Sequence, residues 1–130
     1  MENFQFKRSD REFKRSDRVA QQIQDIISEI ITKKVIVQGL GLATVTKVKT
    51  SQNLRFSRIY LSFMDNTIES DELITLMNRN IKEYRYQLGK ELKIKYVPQI
   101  KFYHDNTYEE MENISRLINK ANAENGKQSR

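Results

Sequence analysis

Cysteine is absent from this chain, and histidine and proline occur once each, as His104 and Pro98. Without cysteine there is neither a disulfide framework nor a thiolate zinc site. With one histidine and no thiol, no His-based or Cys-based nucleophilic triad can be assembled. His104 followed by Asp105 could in principle bind a metal or move a proton, yet a single histidine at a strand end reads as a surface or turn residue. No apolar run approaches the roughly 20 residues of a membrane span, and the N-terminus has no apolar signal core. A cytoplasmic protein without a membrane partner is expected.

Glycine is also scarce, at positions 39, 41, 89 and 126. Gly39-Leu40-Gly41 comes after a helical pattern and before a strand pattern, the reverse of a dinucleotide fingerprint. There is no third glycine and no P-loop Lys-Ser or Lys-Thr pair at the required spacing. Glu109, Glu110 and Glu112 form an acidic cluster, but carboxylates belong at a helix N-terminus, and a helical pattern begins at Thr107. We therefore expect no enzyme, no metal, no cofactor and no small-molecule substrate.

What the chain does have is charge. Of its 130 residues 31% are charged and 38% hydrophobic, with 23 Lys and Arg against 17 Asp and Glu and a net charge of +6. That is enough for one domain with a modest core, part of the chain being solvated tail. The excess of cations favours a polyanionic partner, because phosphate contacts release condensed counterions.

Along the chain, Val19, Ile23, Ile26, Ile27, Ile30 and Ile31 recur at three- and four-residue steps and predict an amphipathic helix. Lys33 and Lys34 suit its C-terminal end. Gly39 and Gly41 then turn the chain. LATVTKVKTS and LRFSRIYLSFM predict a β-hairpin turning around Gln52-Asn53. Val48 is out of phase with Ala43 and Val45, so a bulge is expected near Thr46 and Lys47. In the second strand Ile59, Leu61 and Phe63 share one face, and Arg58, Tyr60 and Ser62 the other.

A second helix is expected from an N-cap at Ser70, with Asp71 and Glu72 in its first turn and a buried stripe of Met77, Ile81, Tyr84 and Leu88 ending at Gly89. KIKYVPQIKFY predicts a third strand with Ile94, Tyr96, Ile100 and Phe102 on one face, Pro98 hinting at an edge position. Thr107 with Glu110 reads as a capping box before a short final helix carrying Met111, Ile114, Leu117 and Ile118. Residues 122–130 read as a disordered tail. The order α-β-β-α-β plus a short C-terminal helix is an α+β fold, a three-stranded sheet with helices on one face.

The charge is concentrated between Met77 and Lys101, where seven cations face Glu83 and Glu91, a surplus of five. Arg79, Lys82, Tyr86 and Lys90 line one helix face, roughly opposite the buried stripe. With Arg85, and continued by Lys93, Lys95 and Lys101, they form a candidate RNA-binding ridge in which an aromatic stands ready to stack a base. The bland alternative is an ordinary solvated face.

Together these segments resemble the ribosome-binding factor A family. RSDRVAQQIQDIISEII is similar to its opening helix, LGLATVTKVKTSQNL to its first strand and hairpin, RIYLSF to its second strand, and LGKELKIKYVPQIKFYHDNT to its third. The likeness covers roughly Arg15 to Ile118. It implies a type II KH-like fold and a cytoplasmic, non-enzymatic ribosome biogenesis factor that binds the small ribosomal subunit and assists processing of its rRNA, expected as a monomer. The family lacks the Gly-x-x-Gly loop of other KH domains, and so does this chain. In its place the family has an Ala-x-Gly kink, to which Asn80, Ile81 and Lys82 correspond, Arg85 matching the arginine after it. Lysine lacks glycine's backbone freedom, so the kink is expected to be weaker or moved. Before the first strand the family often has Asp-Pro-Arg where this chain has Val37-Gln38-Gly39.

One feature lies outside that likeness. The hexamer Phe-Lys-Arg-Ser-Asp-Arg occurs twice, at 6–11 and 13–18, and only the second copy fits the family. The chain divides accordingly into a charged extension, 1–14, a KH-like domain, 15–121, and the tail. Ser9 with Glu12 offers a capping box for a helix beginning two turns early, supported by an Asp10–Lys14 pair. The alternatives are a tail ordered only on RNA, whose six cations, Arg15 and Arg18 among them, add a second basic contact, and a duplication without function. Two other functions stay open: a general KH-like RNA-binding module acting off the ribosome, and a protein adaptor using the Glu109–Glu112 helix and the Tyr60 face.

Overall fold

Burying the isoleucine stripe dictates the first layer. A computed structural model describes residues 2–128, with side-chain surroundings for 15–107 and 110–122. Helix α1 (Glu2–Glu29) closes on a wider π turn, Ile30–Lys34, in which the Val35 N–H donates to the Ile30 carbonyl at 2.8 Å. Val19, Ile23, Ile27, Ile30 and Ile31 are buried. The boundary drawn at residue 15 thus falls inside one helix; the Ser9–Glu12 box and the Asp10–Lys14 pair concern side chains outside the described set.

Gly39 and Gly41 turn the chain into β1 (Leu42–Thr50) at φ +86° and +66°. At Gly41 a Cβ would stand 2.3 Å from the Met64 carbonyl oxygen, so both backbone sign and space demand glycine. Strands β1 and β2 (Phe56–Met64) pair antiparallel, and β2 pairs parallel with β3 (Gln99–His104), in the order β1-β2-β3. The expected bulge is present: Val45 faces Leu61 and Lys47 faces Tyr60, leaving Thr46 as the extra residue. It returns Val48 to the helix side, opposite Ile59, and turns Lys47 and Lys49 to the open side.

The parallel step from β2 to β3 needs a crossover, supplied by α2 (Ser70–Arg79) and α3 (Ile81–Glu91). Leu73, Met77, Tyr84 and Leu88 pack onto the sheet, with Tyr84 edge-on to Phe102 at 4.9 Å. Burial pushes the Tyr84 hydroxyl up to about 12. Sixteen buried residues from α1 and its π turn, the sheet, this pair and the adjoining Leu40 and Leu92 make one core.

Several expectations need correction. The helix breaks at Asn80, within the positions that correspond to the family kink, so the break is not moved. Glycine is unnecessary there because φ −101°, ψ 24° is open to any L-residue. Ser70 is the first helical residue; Glu69 holds the N-cap without a side-chain bond, its carbonyl accepting from the Leu73 N–H. The third strand starts only at Gln99. Residues 93–98 form a loop in which Tyr96 is exposed, because Pro98 has no N–H for a ladder. Helix α4 (Thr107–Gln128) is long, and its backbone covers most of the segment read as a tail. Its expected Thr107–Glu110 box is replaced by Asp105, whose carboxylate accepts from the Thr107 N–H at 3.0 Å and from the Thr46 hydroxyl at 2.6 Å.

Two outcomes are expected of this architecture. Gly41→Ala should destabilise by about 2 kcal/mol or more, from the left-handed backbone and the carbonyl clash together, measured by urea unfolding. Asp105 is held down at about 2 from 3.8, chiefly by hydrogen bonds from Thr107 and Thr46. Its contribution is therefore complete above the unfolded value and lost as pH falls from about 4 through about 2. Asp105→Asn should flatten that acid limb by lowering neutral-pH stability toward the acid value, leaving stability below about pH 2 little changed.

Candidate nucleic-acid interface

On α3 the periodicity that buries Tyr84 and Leu88 turns Lys82, Arg85, Tyr86 and Lys90 outward. The loop that replaces the start of the expected strand runs alongside. Between them lies a cleft of about 720 Å³, with Lys82, Tyr86 and Lys90 on the helix wall and Lys95 and Tyr96 on the loop wall. Gly89 lets the two walls close: a Cβ there would come 3.1 Å from Val97. Pro98, fully buried, pins the loop's end.

Arg85 sets the spacing of the walls. Its Nε donates to the Pro98 carbonyl at 3.1 Å and its guanidinium nitrogen to the Val97 carbonyl at 2.8 Å. A planar fork spans two successive carbonyls as a lysine cannot. At the far end of α3, Lys34 meets Glu91 at 2.9 Å, and that hydrogen bond holds the Lys34 ammonium above its ordinary value.

Tyr86 and Tyr96 are 61% and 68% exposed, which for rings of this size is an open stacking surface. Lys90 Nζ lies 4.6 Å from the Tyr86 centroid and Lys95 Nζ 5.6 Å from that of Tyr96. A basic cleft with two accessible rings suits a single-stranded segment: phosphates to the ammonium groups, bases to the tyrosines.

The structure gathers five of the expected site residues here, Lys82, Arg85, Tyr86, Lys90 and Lys95. Arg79 is exposed at the end of α2. Lys93 lines a different hollow with Gln22, Asp25 and Glu91. Lys101 sits on the opposite face of the sheet beside Tyr103. Arg15 and Arg18 are exposed on α1. Tyr96 is absent from the expected site because strand alternation assigns it to the core.

The other chemistry recedes. His104 is largely buried, its Nδ1 3.4 Å from the Asp71 carboxylate and its ring 6.1 Å from Phe63, so it is not the surface residue expected. Among the described residues no group of three His, Cys, Asp or Glu comes together to hold a metal. Glu110 and Glu112 stand exposed on α4; the side chain of Glu109 lies outside the described set. No described helix is long and apolar enough to cross a membrane.

Known proteins are similar to this chain in sequence and in fold. The family model for ribosome-binding factor A matches residues 15–118. The ribosome-binding factor A of Cellvibrio japonicus is 33% identical over 116 residues, 88% of this chain and 85% of that protein. That of Chromohalobacter salexigens is 31% identical over 116 residues, 88% of each. The fold is also similar to the crystal structure of ribosome-binding factor A from Thermus thermophilus, with TM-score 0.59, 16% identity and coverage of 68% of this chain and 94% of that one. A homology model of the Thermus thermophilus factor, fitted into a cryo-EM map of a 30S complex, matches with TM-score 0.56 at 17% identity, over 67% of this chain and 91% of that one.

If Arg85 braces the cleft, Arg85→Lys should loosen the loop rather than the core. Faster amide hydrogen exchange confined to residues 93–97 is expected, with global stability little changed. Unchanged exchange there would remove Arg85 from this role.

Proposed function

The chain belongs to the ribosome-binding factor A family, and from that membership we propose that it binds the small ribosomal subunit and assists maturation of its rRNA, catalysing no reaction itself. The cleft between α3 and the 93–98 loop is the observation that carries the RNA part of this reading. It combines four cationic side chains with two exposed tyrosines and holds no acid among its lining residues. The Thermus thermophilus relative is named as part of a 30S complex. We place the protein in the cytoplasm, as a monomer when free.

Within the cleft, Lys82, Lys90 and Lys95 meet phosphates, Tyr86 and Tyr96 meet bases, and Arg85 holds the walls at their spacing. Ile81 and Lys82, in the first turn of α3 just after the break at Asn80, line the cleft. Arg79, Lys93, Lys101, Arg15 and Arg18 add to the field that draws in the subunit without lining the cleft. A general KH-like module acting off the ribosome would use the same cleft, and preference for free single strands over subunits distinguishes it.

Co-sedimentation with purified small and large subunits over a salt series tests the proposal. Binding to the small subunit alone, weakening steeply with salt, is the expected result. Lys82→Glu with Lys90→Glu should reduce it about tenfold or more at low salt while leaving thermal unfolding within a few degrees of the parent. Equal binding to both subunits, or to neither, would refute the assignment to the small subunit.

A further inference from the structure

The helices cover one face of the sheet, and the other face is open among the described residues. Its composition is unusual: the three strands contain no Asp or Glu. Strand register sets Lys49 directly opposite Arg58, and Arg58 directly opposite Lys101. Three cations therefore lie in one row across three strands. Like charges directly opposite each other destabilise a sheet, and no carboxylate in the strands offsets them.

The next row is Lys47, Tyr60 and Tyr103. The two tyrosine rings stack at 5.4 Å with 27° between their planes. Lys47 Nζ stands 4.6 Å from the Tyr60 centroid, Lys101 Nζ 5.4 Å and the Arg58 guanidinium 6.0 Å from that of Tyr103. Asp105 is the acid at the rim, and its oxygens are taken up by Thr46 and Thr107. A hollow of about 460 Å³ wraps the β3 edge, lined by Ile81 and Gln99 from the cleft side and by Arg58, Lys101 and Tyr103 from the open side. The two basic surfaces are therefore continuous around one strand.

We propose that the open face is a second RNA platform, on which a single strand leaving the α3 cleft passes around β3, stacks a base on the Tyr60–Tyr103 pair and lays its backbone along the Lys49–Arg58–Lys101 row. The chemistry selects nucleic acid over an acidic protein segment because paired rings answer bases, while the cation row answers a chain of phosphates. The inference rests on the RNA reading of the cleft.

Two probes separate its failure from failure of that reading: a fluorescein-labelled oligouridine 12-mer monitored by anisotropy, and purified small subunits monitored by co-sedimentation. Lys49→Gln with Lys101→Gln should weaken oligouridine binding several-fold. The slope of log K against log salt should fall in magnitude by about 1.4, two phosphate contacts on a single strand. Its melting temperature should hold or rise, since the repulsive row is relieved. Tyr103→Leu should weaken binding without changing the slope. Unchanged affinity and slope in the lysine variant, while Lys82→Glu with Lys90→Glu weakens, would overturn the platform and leave the proposed function standing. Loss of subunit binding with oligouridine binding intact would also overturn it, marking the face as a protein contact. Failure of the parent protein to bind small subunits would sink the proposed function, while the oligouridine slope would still judge the platform.

Discussion

A sheet with helices on one side must be dry on that side and wet on the other, and this constraint governs the rest of the molecule. Strand side chains alternate with a period of two, so each strand must keep its phase from end to end. In β1 the residues themselves do not: Ala43 and Val45 are on one parity and Val48 on the other. The extra residue at Thr46 resolves the conflict, placing Val45 and Val48 on the same side. Without it Lys47 and Lys49 would point into the helices, where unpaired charges are prohibitively costly. The bulge thus keeps the core apolar, and the same step loads the open face with cations. Thr46 is then tied down, its hydroxyl bonding the Tyr60 carbonyl at 3.3 Å and Asp105 at 2.6 Å.

The second dependence is at the sheet's edge. β3 has a neighbour on one side only, and its outer peptide groups need partners. Asn78, two residues before the helix break, supplies them: its Nδ2 donates to the Phe102 carbonyl and its Oδ1 accepts the Phe102 N–H, each at 2.9 Å. One side chain at the end of α2 therefore stands in for a missing strand. Arg85 does the corresponding work one stretch upstream, on the Val97 and Pro98 carbonyls. Between these two attachments, Asn78 on Phe102 and Arg85 on Val97 and Pro98, the helix breaks at Asn80. A straight helix through Asn80 would be hard to reconcile with both sets of bonds, so packing sets the break more than residue type does.

Local and long-range causes divide what is legible in the chain from what is not. The isoleucine stripe of α1, the hairpin, the bulge and the α+β order are readable because each rests on a periodicity or on a local turn residue. Gly39 and Gly41 are readable for the same reason. The kink at Asn80 is misjudged when glycine is taken as its cause, whereas the observed φ is negative and the cause is long-range. Tyr96 is misplaced because β-propensity in KIKY gives way to the requirement set by Pro98. The caps at Ser70 and Thr107 are shifted because neighbouring groups, Glu69 and Asp105, already occupy those roles. For the site, helical spacing correctly sets Lys82, Tyr86 and Lys90 on one face. It cannot show that Lys93 and Lys101 face elsewhere, which depends on where the strand begins.

The distribution of charge supports a division of labour between the two surfaces. On α3 the cations alternate with acids, Glu83 and Glu91, and Glu91 is paired with Lys34. Those acids lie outside the cleft lining and lower the net charge of the helix as a whole. The open face has no carboxylate within its strands, and three cations lie side by side across it. In isolation that arrangement lowers stability, so it is best understood in terms of the bound state, where a polyanion converts the repulsion into attraction. A fold with a modest core can carry this cost only if the opposite face is well packed. Here it is: Ile59, Leu61 and Phe102, the strand neighbours of those cations and tyrosines, are all fully buried beneath the helices.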